Sequence, residues 1–118
     1  MKPLHSKIAL VTFALSVTAF AGGGATPEVL AKGKESFAKN CVLCHGDAGD
    51  GNGPAGAMMN PKPRNFATDK FKAGNKVENI VKTIHDGLPG TGMAGLPQIP
   101  KDEAKALAYY VLSFQKKK

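Results

Sequence analysis

Residues 41–45 read Cys41-Val42-Leu43-Cys44-His45, a C-x-x-C-H pentapeptide that holds both cysteines of the 118-residue chain. On one helical turn, positions i and i+3 face the same way, so the two thiols reach one flat ligand. The histidine beside the second thiol then turns its ring toward the centre of that ligand. Two thioether bonds at the edge of a porphyrin and one imidazole on its iron make these demands. The pentapeptide therefore points to one covalently attached c-type haem, with Cys41 and Cys44 holding the macrocycle and His45 on the metal.

Other uses of these residues fit poorly. A zinc site needs four ligands, and His45 is adjacent to Cys44 rather than placed to close a finger with Cys41 and His85. A thioredoxin-type pair needs a βαβ setting that the sequence lacks. A structural disulfide across two residues closes almost no loop and stabilises little. The glycines that follow, Gly46, Gly49, Gly51, Gly53 and Gly56, lack the Gly-Lys-Ser/Thr of a phosphate loop. Asp47, Asp50 and Asn52 are no calcium loop, because Pro54 falls where a ligand is needed.

Upstream, Lys2, His5 and Lys7 precede an uncharged stretch from Ile8 to Phe20 that ends in Ala19-Phe20-Ala21. The stretch is shorter than the about 20 residues of a spanning helix. Its small-x-small end is what signal peptidase accepts. Residues 1–21 are expected to be a cleaved export signal, the alternative being an uncleaved anchor. Residues 22–118 are then a single domain, soluble in the periplasm and without stable membrane insertion. With 42% apolar residues and no tryptophan, the chain is neither a disordered tail nor a membrane bundle. Its length excludes a multidomain enzyme. A core this small keeps much of its surface in water and needs a filler, which a large apolar haem supplies.

The rest of the chain reads as all-α, with three main helices. Thr26-Pro27-Glu28 is a helix start, combining an N-cap hydroxyl, a proline at N1 and an acid at the positive dipole end. Leu30, Gly33 and Phe37 share one face of that helix, and a bare glycine there predicts a close helix crossing. Asn75 and Glu78 form an N-x-x-E capping signal before the stripe Val77, Ile80, Val81 and Ile84, and Gly87 is the expected stop. A third helix starts just after Pro100, with Leu107, Tyr110, Val111 and Phe114 on one face. Lys116, Lys117 and Lys118 are expected at its negative dipole end. Between the helices, loops 46–74 and 88–99 are too long to be idle, and their prolines suggest segments wrapped against a bound group.

Gly33…Phe37, Cys41–His45, Gly53-Pro54, a methionine loop and Leu107…Tyr110 follow one another in the order of a known family. Residues 27–115 resemble a bacterial class I cytochrome c. The resemblance implies that first and last helices cross at Gly33, packed by Phe37, Leu107 and Tyr110, and that both helices and loops wrap one haem. One departure is Pro100-Lys101, which stands where the family has a Ser/Thr-Asp cap.

The remaining axial position has four candidates: Met58, Met59, Met93 and His85. Met93 lies in Leu88-Pro89-Gly90-Thr91-Gly92-Met93, where glycines let the backbone bring a thioether close to a ring face, and the resemblance points to the same loop. Met58 and Met59 read as flexible filler against the haem edge, and His85 as an imidazole near the last carbonyls of its helix. The resemblance also implies that the Pro54 carbonyl takes the proton on the outer nitrogen of His45. Arg64 is a candidate for a haem propionate through its planar fork, or else a solvated loop arginine.

A thioether stabilises reduced iron, and a site with both axial positions filled passes electrons rather than activating peroxide or oxygen. The expected function is that of a periplasmic single-electron carrier, not an enzyme, between redox proteins of a respiratory or dehydrogenase chain. The alternatives are a haem enzyme or gas-binding protein with a displaceable sixth ligand, and a fixed electron-entry subunit of a larger complex. The formal net charge of +7 falls when Lys2 and Lys7 leave with the signal. Lys34, Lys39, Lys62, Arg64, Lys70, Lys72, Lys76 and Lys82 are expected to ring the haem edge and dock acidic redox partners. Nucleic acid is not expected as a partner, for want of a recognition motif. A monomer is expected.

Overall fold

Thr26 sits in extended backbone, and its hydroxyl oxygen accepts the Val29 N–H at 3.2 Å. That bond satisfies one of the orphan donors at a helix start, and α1 runs Pro27–Asn40 from it. A computed structural model of the chain describes residue 3 and residues 24–115. The expected signal, the glycines at 22 and 23 and the three terminal lysines lie outside these residues, Pro3 apart. Cys41 ends α1 and begins the single turn α2, Val42–His45. A short 3-10 turn, Gly56–Met58, lies in the long loop that follows.

Helix α3 spans Val77–Asp86 and stops at Gly87, whose φ of 75° suits a residue without a β-carbon. Its start corrects the sequence expectation. Lys76, not Asn75, is the N-cap, and no side chain caps the helix. The approach is held instead by Asn79, whose side-chain amide donates to the Ala73 carbonyl at 2.6 Å, so the chain enters the helix one residue late for Asn75. Helix α4, Lys101–Ser113, begins directly after Pro100 with no side-chain cap. Asp102 and Glu103 in its first turn supply the negative charge that the helix N-terminus favours.

The largest interface is that of α1 with α4, and α3 packs on α4 beside it. A β-carbon on Gly33 would lie 2.8 Å from the Tyr110 β-carbon, so the two helices touch backbone to side-chain root. Phe37 is 2% exposed and Leu107 fully buried at this crossing. Phe37 meets the Tyr110 ring edge-on at a centroid distance of 5.3 Å, an arrangement the ring quadrupoles favour. From α3, Ile80, Val81 and Ile84 complete the same core. Among the described residues there is no strand, only an isolated bridge between Gly87 and Ala94. The all-α fold with three main helices is the one the sequence led us to expect, with α2 as a fourth, one-turn helix.

Candidate functional site

The pentapeptide folds as one turn: the N–H groups of Cys44 and His45 both donate to the Cys41 carbonyl, at 3.2 and 2.9 Å. The next loop wraps it closely. The N–H groups of Gly51, Gly53 and Ala55 donate to the carbonyls of His45, Cys44 and Leu43. Gly56 presses so tightly that a β-carbon there would come 1.9 Å from the Cys44 carbonyl oxygen. Glycine is needed at that approach because any side chain would push the loop off the motif.

Cys41, Cys44 and His45 line one cavity of about 340 Å³, together with Met59, Arg64, Phe66 and Met93. Core residues from all three long helices, Phe37, Ile80, Ile84, Leu107 and Val111, form its apolar back wall. Burial, with a smaller push from Cys44, moves the Cys41 thiol up to about 11. It therefore stays protonated at neutral pH, unlike the activated thiolate of a redox pair. His45 is held below the ordinary imidazole value, first by burial and then by the Arg64 charge. A neutral imidazole is the form that ligates metal.

His45 Nδ1 is buried and has no hydrogen-bond partner. The bond to the Pro54 carbonyl that the resemblance implied is therefore not made here. The His45 ring instead lies on Phe66, centroids 4.6 Å apart and planes 20° apart, while Pro54 is exposed. A buried polar nitrogen without a partner costs about 1–3 kcal/mol, a cost consistent with a site shaped for a group beyond the polypeptide. The cavity offers that group two thiols, an imidazole and thioethers inside an apolar wall. This donor set fits a haem, which the two thiols would hold covalently and to whose iron nitrogen and sulfur donors would be available.

The loop between α3 and α4 brings Met93 to the cavity. Its ends are tied as a small hairpin, with the Leu88 N–H donating to the Met93 carbonyl at 3.1 Å. Thr91 braces it: Oγ1 donates to the Leu88 carbonyl at 2.7 Å and accepts the Met93 N–H at 3.2 Å. Met59 also lines the cavity, beside this loop, and a β-carbon on Gly92 would meet its Cε at 3.0 Å. Met58 is 89% exposed and is not the haem-edge filler its sequence position suggested. The 3-10 turn rotates it outward while Met59, at the turn's end, points in. His85 does not line the cavity; its Nε2 is 2.9 Å from the Ile99 carbonyl oxygen.

Arg64 stands in the cavity wall and donates through Nη1 to the Lys70 carbonyl. Of the eight cations expected to ring the haem edge, Lys62, Arg64 and Lys72 border the cavity, and the other five do not. Lys39 and Lys82 are instead paired with Glu35 and Asp86 on their own helices. No ion pair among the described residues involves Lys62, Arg64 or Lys72, although Asp50 lies near enough to Lys62 to feel its charge. Also among the described residues, no helix is long and apolar enough to cross a membrane.

Residues 30–115 match the family model described as Cytochrome c. Among curated relatives, the cbb3-type cytochrome c oxidase subunit FixP of Bradyrhizobium diazoefficiens is 37% identical over 84 residues, 70% of this chain and 27% of the relative. The chain thus spans little more than a quarter of that protein's length. Among solved structures, a chain of the Kuenenia stuttgartiensis reducing HAO-like protein complex superposes with a TM-score of 0.71 at 30% identity, covering 79% of this chain and 46% of that one. The c-type cytochrome KustC0563 superposes at 0.55 with 28% identity, covering 71% of this chain and 98% of its own.

Proposed function

Because the chain belongs to the cytochrome c family, with covalently bound haem c as its cofactor, we propose that it is a periplasmic one-electron carrier with His/Met axial ligation. The observation that carries this reading is the convergence of Cys41, Cys44, His45 and Met93 on one apolar cavity. Bound there, the haem supplies a ferric–ferrous couple at its iron. Cys41 and Cys44 hold its edge from a single helical turn, and His45 presents a neutral imidazole from the same turn. Met93 offers a soft thioether, which favours the reduced metal and raises the potential. The unpaired His45 Nδ1 needs an acceptor in the loaded protein, a role that the family resemblance gives to the Pro54 carbonyl. Arg64 keeps guanidinium donors beyond its bond to Lys70 and can pair with a propionate. Phe66, Ile80 and Leu107 keep water from the cavity wall.

Lys62, Arg64 and Lys72 give the cavity mouth one sign of charge, which speeds docking on an acidic redox partner and makes the complex salt-sensitive. In this reading, residues 1–21 direct export and are removed, and the carrier works as a monomer, transferring electrons rather than catalysing a reaction. Mass spectrometry of the periplasmic protein tests the attachment and the cleavage together: the polypeptide should begin at Gly22 and carry one haem mass.

An optical redox titration of the purified holoprotein tests the electron-transfer reading. A low-spin, six-coordinate spectrum with a weak far-red sulfur-to-iron band and one reversible one-electron step is expected. A high-spin ferrous form that takes up carbon monoxide at once would overturn it in favour of a ligand-binding haem protein. The FixP relative's name, an oxidase subunit, favours a second reading in which this domain is the fixed electron-entry part of a larger complex. Co-purification with an oxidase from native membranes would establish that reading; a free carrier in the soluble fraction would dismiss it.

A further inference from the structure

The loop that carries Met93 is held unevenly. Its first half is closed on itself by the Leu88–Met93 bond and by Thr91. Its second half returns along α3 and is tied to that helix twice. The Leu96 N–H donates to the Ile84 carbonyl at 2.8 Å, and the His85 ring reaches the Ile99 carbonyl at 2.9 Å. A carbonyl oxygen only accepts, so Nε2 carries the proton and donates. Among the described residues, His85 is the one side chain of α3 that is hydrogen-bonded to this loop. It acts where local donors run short, because Pro100 has no N–H and gives α4 no side-chain cap.

We infer that His85 is a positioning residue for Met93: by pinning the Ile99 carbonyl to the last turn of α3, its imidazole sets how firmly the Met93 loop is held over the cavity. Ile99 is itself buried in the core, so this bond fixes the loop's far end at a point that cannot drift. The His85 bond thus works with the Leu96–Ile84 bond to hold the loop's far half on α3, and losing it leaves the Met93 loop with one of its two ties to that helix. The inference rests on the reading of Met93 as the sixth ligand.

The test compares the holoprotein with its His85→Ala and His85→Gln variants, since a glutamine amide reaches about as far as Nε2 and donates to the same carbonyl. Two readouts are taken: native-state hydrogen exchange of the Leu88 and Leu96 amides, and the affinity for added imidazole at the iron. In His85→Ala both amides should exchange about ten-fold faster and imidazole should bind about ten-fold tighter, the change that corresponds to one hydrogen bond of ~1.4 kcal/mol. His85→Gln should restore both toward the parent values. Unchanged exchange in His85→Ala, or equal changes in both variants, would overturn the inference. A parent protein without the far-red sulfur band would instead overturn Met93 ligation, while the exchange readout would still decide whether His85 clamps the loop.

Discussion

Gly33 and Ala106 meet where α1 crosses α4, so closely that a β-carbon on Gly33 would stand 2.2 Å from the Ala106 carbonyl oxygen. Neither helix can yield there without moving Phe37 or Leu107 out of the core. Gly33→Ala should therefore destabilise the holoprotein by about 3 kcal/mol, at the upper end for overpacking, although alanine is otherwise the better helix former. Guanidinium unfolding followed at the haem absorption band measures it. A stabilised variant would mean that the crossing is looser than the backbone shows.

Met59 and Met93 make opposite predictions although both line the cavity. Met93→Ala should lower the reduction potential by at least about 100 mV, within the ~0.8 V that axial ligands span, and abolish the far-red band. Met59→Leu preserves volume and should keep the band, at a stability cost below about 1.5 kcal/mol. If the two outcomes were exchanged, Met59 would be the ligand.

Thr91 makes two bonds within the Met93 loop, to the Leu88 carbonyl and from the Met93 N–H. Thr91→Val keeps the shape and removes both. A loss of about 1–2 kcal/mol in denaturant unfolding is expected, together with a weaker far-red band. Loss of stability with an unaltered band would show that Thr91 braces the loop without orienting the methionine.

Lys72 borders the cavity, whereas Lys76, four residues on, is exposed but does not. Stopped-flow electron exchange with an acidic redox protein should slow roughly ten-fold at low salt in Lys72→Glu, within the range of electrostatic steering. Lys76→Glu should slow it less. At about 1 M salt, where the screening length is only about 3 Å, the variants should converge. Equal effects of the two substitutions would mean that net charge, not the cavity rim, guides docking.

Much of the site was legible in the order of residues alone. Cys41 to His45 needs no distant information, because one helical turn places the two sulfurs and the imidazole together. Thr26, Gly33, Gly87 and the α4 start were equally readable, since caps, stops and apolar periods act within a few residues. The misjudged features turn on which partner a side chain meets and which way a loop turns, and cap patterns and apolar periods do not encode either. Asn75 lost the cap to Lys76 because Asn79 bonds back to Ala73. Met58 turned outward because of the 3-10 turn before Met59. His85 looked like a helix-end imidazole, and its actual partner is fourteen residues away on the opposite end of a loop.

By itself, then, the sequence determined the helices, the glycine crossing and the haem-attachment turn, because each is written in a local pattern that only one backbone shape satisfies. The tertiary structure alone decided which thioethers enter the cavity, which cations border its mouth and what holds the Met93 loop in place. Those outcomes depend on the paths of loops, and a loop's path is set by bonds such as Leu96 to Ile84 and His85 to Ile99, whose partners no local pattern of residues identifies.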